Sequence, residues 1–260
     1  MTEQPPAARQ PLLVLAAGSL RLPLPLIIDD FRQRTGVRVE AGFGPSGQLR
    51  ARIEAGQGCH LFASADHSHP GRLAWQGLAQ EPILFAGNRI CVLVRQGLSV
   101  NQDNLLPRLL DPELRLGAPP PVIDPGGDYA RAFFGLAETL VPGAGQALIS
   151  KTETFLGRSD VPPNLTPGQA IAAAFARDRV DAFVVYLSIC REVVELVDDL
   201  ALVTPPPALR VTPEFWMCLL KGAPRAALGL ADHILSPVGQ GLLAVSGFTP
   251  LRDLSKEDLS

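Results

Sequence analysis

Residues 12–19 read Leu-Leu-Val-Leu-Ala-Ala-Gly-Ser, an apolar run that ends in small residues. The run predicts a buried β-strand over 12–16, a tight turn at Gly18-Ser19 and an amphipathic helix that continues to about Arg34. The same order returns twice, with predicted strands over 37–43 and 61–64 and predicted helices over 48–55 and about 69–76. Strands that alternate with helices in this way predict a parallel sheet with helices on its faces.

The middle of the chain repeats this design. A predicted strand over 114–118 precedes a proline-rich turn and a helix over about 128–140, and a strand follows over 180–186. An apolar run at 215–220 and further helices to Leu243 then return the chain to the first unit. We therefore predict an α/β protein of two similar lobes with a central cleft. Residues 11–88 and 213–260 form lobe 1, residues 89–212 form lobe 2, and residues 1–10 form an N-terminal tail.

The composition argues against several classes of protein. The 260 residues include 23 Lys and Arg against 26 Asp and Glu, which gives a net charge of −3. This balance lacks the basic surface of a nucleic-acid-binding protein. The apolar run at 12–17 is shorter than the ~7–15 residues of a signal-peptide core, and no run approaches the ~18 apolar residues of a membrane span. We therefore predict a soluble monomer without membrane insertion and without a clear signal peptide.

Cysteine and histidine patterns give little support to redox or metal chemistry. The four cysteines lie far apart, at Cys59, Cys91, Cys190 and Cys218, so we predict no disulfide framework. Cys91 and Cys218 stand in apolar runs, which is typical of buried, inert thiols. His67 and His69 could bind a metal if they shared a strand face, but they follow the end of a predicted strand, which favours a solvated loop.

Four turns share the ability to expose backbone N–H groups at the start of a helix. They are Gly18-Ser19, Pro45-Ser46-Gly47, Gly126-Gly127 and Thr166-Pro167-Gly168. A helix N-terminus leaves its first N–H donors unpaired and carries a partial positive charge. Because small residues let an anion approach these donors, two facing lobes could surround a small anion. The alternative is that each turn is an ordinary helix cap.

One motif favours a different class of function. Gly42, Gly44 and Gly47 fit the spacing G-x-G-x-x-G, and Asp66 follows at the end of the next predicted strand, where a ribose-binding acid would lie. This pattern leaves open a nucleotide-dependent enzyme. Against it, Gly42 falls within the predicted strand, and an earlier strand, turn and helix already precede this one.

Several segments together resemble the molybdate-binding proteins of ABC importers. They are Ala-Ala-Gly-Ser-Leu at 16–20, Phe-Gly-Pro-Ser-Gly-Gln-Leu at 43–49, Ile-Glu-Ala-Gly at 53–56, Leu-Phe-Ala-Ser-Ala-Asp at 61–66, Gly-Asn at 87–88, Pro-Gly-Gly-Asp-Tyr-Ala at 125–130, Val-Tyr at 185–186 and Gly-Phe at 247–248. The likeness extends over nearly the whole chain, and its N-terminal third is the most specific part. It implies the two-lobed type II periplasmic binding protein fold, which closes on its ligand by a hinge motion.

The resemblance also implies a site for a tetrahedral oxyanion, with molybdate or tungstate favoured and no cofactor. Ser19 and Ser46 match the two serines of the first lobe, which donate through hydroxyl and backbone N–H groups. Gly126 and Gly168 fall where backbone N–H donors come from the second lobe, and Tyr186 matches the tyrosine whose hydroxyl completes the site. Arg21, next to Ser19, is a further candidate donor, although a solvated arginine is the favoured interpretation.

The sequence departs from the family pattern near several of these positions. Pro45 removes a backbone donor from the second loop, and Pro119-Pro120-Pro121 replaces the expected Gly-Asp-Pro. Asp124 and Asp128 flank Gly126, and a carboxylate that faced the site would repel an anion.

These observations predict a solute-binding protein rather than an enzyme. It would capture an oxyanion between its lobes for an ABC permease, which implies a periplasmic location. An intracellular oxyanion sensor or chaperone of the same fold is the alternative, because no clear signal peptide precedes residue 12.

Overall fold

The structure is a computed structural model that describes residues 10–154 and 165–257. The predicted tail, residues 1–10, lies outside this range apart from Gln10. Over the described residues the strands are β1 Leu12–Ala17, β2 Val39–Gly44, β3 Leu61–Ser64, β4 Ile83–Gly87, β5 Ile90–Arg95, β6 Leu116–Ala118, β7 Glu153–Thr154, β8 Ala182–Tyr186, β9 Leu200–Val203 and β10 Glu214–Leu219. They form two five-stranded sheets.

Eleven α-helices connect and cover these strands within the described part of the chain. They are α1 Pro23–Thr35, α2 Ser46–Glu54, α3 Ser68–Trp75, α4 Leu105–Leu110, α5 Pro125–Leu140, α6 Ala144–Lys151, α7 Pro167–Ala176, α8 Leu187–Val194, α9 Arg225–Leu235, α10 Pro237–Val245 and α11 Leu251–Glu257. No single helix in these ranges is long and apolar enough to cross a membrane; only α9 and α10 taken together, bent by 60°, reach that length and composition.

The first lobe is built on the sheet with strand order β2-β1-β3-β10-β4. Strands β2 and β3 both run parallel to β1, as the repeated strand and helix pattern predicts. Strand β10 returns from the far end of the chain and runs antiparallel to β3 and β4, so the sheet is mixed. Helices α9 and α10 pack against α1 and cover one face.

The second lobe is built on the sheet with strand order β7-β6-β8-β5-β9. Strands β6, β7 and β8 are parallel, whereas β5 runs antiparallel to β8 and β9. This two-lobed α/β architecture confirms the predicted fold class. The chain passes between the sheets after β4 and after β9, and the lobe boundaries at 88–89 and 212–213 stay predictions.

Contacts between the lobes flank the passage from β4 to β5. Asn88 and Ser188 are both buried, and the Asn88 Nδ2 atom donates a hydrogen bond of 2.8 Å to Ser188 Oγ. Tyr129 Oη, on α5 of the second lobe, accepts a hydrogen bond of 3.1 Å from the backbone N–H of Glu214 in the first lobe. Polar bonds thus join the lobes at separate points of their boundary.

Two helix starts differ from their predictions. Helix α5 begins at Pro125 rather than near Asp128, because the Asp124 side chain caps it by accepting from Gly126 N and Pro125 suits the first helical position. Helix α2 begins at Ser46, two residues before its predicted start. The predicted cap of α7 is confirmed: Thr166 and Gln169 form a capping box, with Pro167 as the first helical residue.

Cys91 and Cys218 are buried, which confirms the prediction from their apolar runs. All four are free and buried. Burial raises the pKa of Cys59 and Cys218 to about 12 and that of Cys91 to about 11. Thiols with such pKa values stay protonated and are poor nucleophiles.

Candidate oxyanion site

A small cavity lies in the cleft where the two lobes meet. Its walls include Ser19 and Ser46 from the first lobe and Asp124 and Tyr186 from the second. These residues follow or end the strands β1, β2, β6 and β8, so the cavity lies at the carboxyl ends of strands from both sheets. This edge is the usual ligand crevice of α/β sheets.

The two first-lobe serines can each donate a hydroxyl hydrogen into the cavity. Ser19 Oγ is buried and has no hydrogen-bond partner among the described residues. Ser46 is 1% exposed, and its Oγ accepts a hydrogen bond of 3.3 Å from the backbone N–H of Ala65. Because that bond uses only a lone pair, the hydrogen of the Ser46 hydroxyl remains available to an acceptor.

Tyr186 supplies a hydroxyl from the second lobe. It is the last residue of β8, pairs with Ile90 of β5 and is 2% exposed. Its ring packs edge-on against Tyr129 and Phe215, and its hydroxyl has no partner among the described residues. Burial, followed by nearby carboxylates, raises the pKa of Tyr186 well above its usual value. The hydroxyl therefore keeps its proton and is available as a neutral donor.

Gly126 is close to the cavity, but its backbone donor is already used. Its N–H donates to Asp124 Oδ1 over 2.8 Å, and Gly126 is not among the residues that line the cavity. A Cβ at this position would lie 3.2 Å from Tyr186 Cε2, so the glycine lets the start of α5 pack on the tyrosine ring. The structure thus differs from the expectation that Gly126 offers a free N–H, because the cap of α5 binds it.

Gly168 shows the same arrangement at the start of α7. Its N–H donates to the carboxylate of Glu192, which also accepts from the Thr166 hydroxyl. A Cβ on Gly168 would lie 2.5 Å from Glu192 Oε2, so the carboxylate sits directly on the glycine. Gly168 does not line the cavity either, and its neighbour Pro167 does. Glu192 was not predicted as part of the site, because no local sequence pattern connects it with α7.

Asp124 brings a carboxylate to the wall of the cavity, as the sequence analysis considered. Burial is the main cause that raises its pKa to about 6, and the charges of Asp128 and Asp66 raise it further, against the lowering effect of the Gly126 N–H. Asp124 therefore changes charge near neutral pH. It is an acceptor when ionised and can donate when protonated.

Arg21 is a cation at the edge of the cleft. Its guanidinium carbon lies 5.3 Å from the centroid of the Phe43 ring, and its Nε is buried without a partner among the described residues. Its charge favours ionised Glu192 across the cleft. Arg21 thus packs over an aromatic ring of its own lobe, and it does not line the cavity.

The cavity is narrow in this structure. The cavity volume is about 10 Å³, measured with a water-sized sphere. This is about the space that one water molecule needs. Gly18 and Pro167 face each other across it, and a Cβ on Gly18 would lie 3.3 Å from Pro167 Cγ. A tetrahedral oxyanion therefore requires the walls to move apart.

The alternative site residues have local structural roles. Asp66 Oδ1 and Oδ2 accept from the hydroxyls of Ser64 and Ser68, which ties this carboxylate to its own turn. The imidazole of His67 packs edge-on against Trp216, and His69 Nε2 lies 3.9 Å from Asp66 Oδ2. Over 10–154 and 165–257, no group of three His, Cys, Asp or Glu residues is arranged to hold a metal ion.

The segment with the G-x-G-x-x-G spacing, residues 42–47, does not have the geometry that dinucleotide binding requires. Gly42 lies inside β2, paired with Leu15 of β1, rather than in a phosphate-binding turn. A Cβ at Gly42 would lie 3.0 Å from Leu15 Cδ2, so this glycine serves close strand packing. The turn that follows β2 carries Pro45 and Ser46 and lines the cavity between the lobes instead.

The fold and the cleft define a two-lobed binding protein of the type II periplasmic architecture. A family model described as bacterial extracellular solute-binding protein matches residues 12–249. The chain therefore belongs to this solute-binding family. Proteins of this class bind a small solute for an ABC importer and are generally not enzymes.

Individual proteins are similar to this chain in sequence or in fold. An uncharacterized protein of Pasteurella multocida is 33% identical over 239 residues, which cover 91% of this chain and 98% of that protein. The sulfate-binding protein SubI of Mycobacterium tuberculosis has a TM-score of 0.78 at 16% identity, covering 96% of this chain and 90% of its own. The periplasmic molybdate-binding protein of Azotobacter vinelandii has a TM-score of 0.71 at 19% identity, covering 92% and 98% respectively. These two similarities show the fold.

Proposed function

We propose that this protein captures a tetrahedral oxyanion between its lobes and delivers it to an ABC permease. One observation carries the proposal. Ser19 and Tyr186, one from each lobe, line the same cavity, and the hydroxyl oxygen of each is buried without a partner among the described residues. Leaving a buried hydroxyl unpaired costs about 1–3 kcal/mol, so two such groups in one cavity favour a ligand that accepts hydrogen bonds from both.

The chemistry of the cavity suits an oxyanion better than a cation or an apolar ligand. Ser19, Ser46 and Tyr186 line the cavity and can supply three hydroxyl hydrogens, and oxygen atoms of an anion accept such bonds strongly. Helix α2 also begins at Ser46, so its partial positive end is directed at the cavity. Neutral donors of this kind can bind an anion without a direct lysine or arginine contact.

Molybdate or tungstate is the preferred ligand within this class. The first-lobe turns around Ser19 and Ser46 resemble those of molybdate-binding proteins, and one similar fold binds molybdate while another binds sulfate. The ligand would enter while the lobes are apart and draw them together through bonds to both sides, since donors from each lobe contact the same anion.

A panel of thermal melts tests the class of ligand. Molybdate, tungstate, sulfate, phosphate and NAD are added separately to the full chain. A ligand at about 1,000 times its Kd stabilises the folded state by about 4 kcal/mol. For a chain of this size the melting temperature rises by about 2–4 °C per kcal/mol, so a shift near ten degrees is expected for one of the oxyanions. A response to NAD alone contradicts the proposal.

A serine variant with a matched control tests the site. Ser19→Ala removes a hydroxyl that has no protein partner, so we expect unchanged stability without ligand and a smaller shift with the anion. The control is Ser150→Ala on α6, whose hydroxyl bonds the backbone carbonyl of Gln146 far from the cavity. An equal ligand-induced shift in both variants argues against Ser19 as a donor.

A further inference from the structure

The carboxylate of Asp124 is built into the wall that faces the anion. One of its oxygens, Oδ1, accepts the Gly126 N–H over 2.8 Å and so caps the sixteen-residue helix α5. The same side chain lines the cavity together with Ser19, Ser46 and Tyr186. Tyr186 lines the same cavity and is 2% exposed. Its hydroxyl has no partner among the described residues, which is an independent sign of a ligand.

The charges around Asp124 do not neutralise it. Titratable groups on the surrounding elements are Arg21 after the first turn, Asp66 before α3, Asp128 and Tyr129 on α5, Tyr186 at the end of β8 and Glu192 on α8. Asp66 and Asp128 act on Asp124 as like charges, and the tyrosines are neutral. The charge of Arg21 acts on Glu192, whose carboxylate also accepts from Thr166 and Gly168 at the start of α7. A dianion in the cavity would therefore be repelled by ionised Asp124, and little positive charge nearby would offset this repulsion.

We propose that the site binds an oxyanion together with one proton, held between Asp124 and the nearest ligand oxygen. This inference rests on the proposed oxyanion function. A fully ionised anion such as sulfate brings no proton, so Asp124 takes one from solvent and donates it to the anion. Phosphate brings its own proton as hydrogen phosphate and donates it to the ionised Asp124. Asp124 is then a specificity-determining residue whose effect depends on pH: it admits fully ionised anions such as molybdate or sulfate in acidic solution, and in basic solution it disfavours them relative to an oxyanion that carries its own proton.

The proton balance predicts how affinity changes with pH. Asp124 has a pKa of about 6 in the folded protein. Above this pH, each sulfate bound takes up one proton, so its affinity falls about tenfold for each pH unit. Between about pH 6 and about pH 8 the loss is thus about a hundredfold. Phosphate affinity does not fall over this range and should rise, because the proton arrives with the ligand and both hydrogen phosphate and ionised Asp124 become more abundant as the pH rises.

Titration calorimetry of the full chain with sulfate and with inorganic phosphate, at several pH values, tests the inference. Each titration is repeated in two buffers of different ionisation enthalpy, which counts the protons taken up. Asp124→Asn keeps a good helix cap and is expected to fold, since asparagine caps as well as aspartate. Asp128→Asn is the matched control, because it removes one nearby charge outside the cavity wall.

The inference predicts a steep pH dependence and one proton taken up for sulfate in the wild type and in Asp128→Asn. In Asp124→Asn the sulfate affinity becomes independent of pH, and phosphate loses its advantage over sulfate at about pH 8. A pH-independent sulfate affinity without proton uptake in the wild type overturns the inference and leaves the proposed function intact. If neither sulfate, phosphate nor molybdate binds at any pH, the proposed function itself fails.

Discussion

On the first-lobe side of the cleft, β1 and β2 lead into turns whose serine hydroxyls keep hydrogens available for a ligand. On the second-lobe side, α5 and α7 start at the cleft with N–H groups already bonded to the carboxylates of Asp124 and Glu192. The same position at the carboxyl ends of strands therefore serves two purposes. The first lobe presents donors, and the second presents capped helices and, among the residues that the structure describes, the free hydroxyl of Tyr186.

The difference shows why a helix start alone does not identify an anion site. The unpaired N–H groups of a helix need partners, and a side chain of the same chain satisfies them as well as a ligand does. At Gly126 and Gly168 the chain has supplied carboxylates, which fill the donors and add negative charge. Any anion bound here therefore depends on Ser19, Ser46 and Tyr186 more than on the second-lobe helices.

The largest expected effect tests how rigidly the second-lobe side is packed. A Cβ at Gly127 would lie 2.4 Å from backbone atoms of Pro120 and Pro121, which cannot move aside easily. We expect Gly127→Ala to lower the free energy of unfolding by about 3 kcal/mol. At Gly44, on the first-lobe side, a Cβ would lie 3.5 Å from Leu49 Cδ2, an ordinary contact.

Gly44→Ala is therefore the matched control and should change stability by no more than about 0.5 kcal/mol. Urea denaturation of both variants measures the difference. Equal losses would show that the two sides of the cleft are packed alike, and the second-lobe side would then not be the more rigidly packed one.

The next effect concerns stability against pH. The pKa of Asp124 is raised to about 6 in the folded state from an ordinary value of 3.8. The contribution of protonated Asp124 to the free energy of unfolding is therefore fully present below about pH 4 and is lost as the pH rises through about 6. Relative to Asp124→Asn, the wild type should lose on the order of 2 kcal/mol between about pH 4 and about pH 8.

Denaturation of both proteins without ligand, at a series of pH values, measures this loss. If the stability difference stays constant with pH, the surroundings of Asp124 do not disfavour its ionised form. The two lobes would then not differ in their electrostatics at the cleft.

The smallest effect separates the two tyrosines of the chain. Tyr186→Phe removes a hydroxyl without a partner among the described residues, so stability should be unchanged or slightly higher, while oxyanion affinity falls about tenfold. Tyr129→Phe removes the bond to Glu214 N–H and should lower stability by about 1 kcal/mol. Its effect on affinity should be small, because Tyr129 does not line the cavity. Anion titration and thermal melting of both variants provide the test.

Much of the scaffold could be predicted from local patterns. The apolar runs ending in Gly18-Ser19 and Pro45-Ser46 give the strands and turns that place both serines at the cleft. The start of α5 was predicted three residues late, although Asp124-Pro125 is a cap followed by proline and could have been recognised. Glu192 could not be predicted, because its contact with Gly168 depends on how α7 and α8 pack.

The most direct test of the central claim is calorimetric titration of sulfate and molybdate, at about pH 6, into the wild type and the double variant Ser19→Ala/Tyr186→Phe. We expect one anion per wild-type chain and an affinity about a hundredfold lower in the double variant, since one donor is lost from each lobe. Equal affinity in both proteins, or no binding of either anion to the wild type, would contradict it.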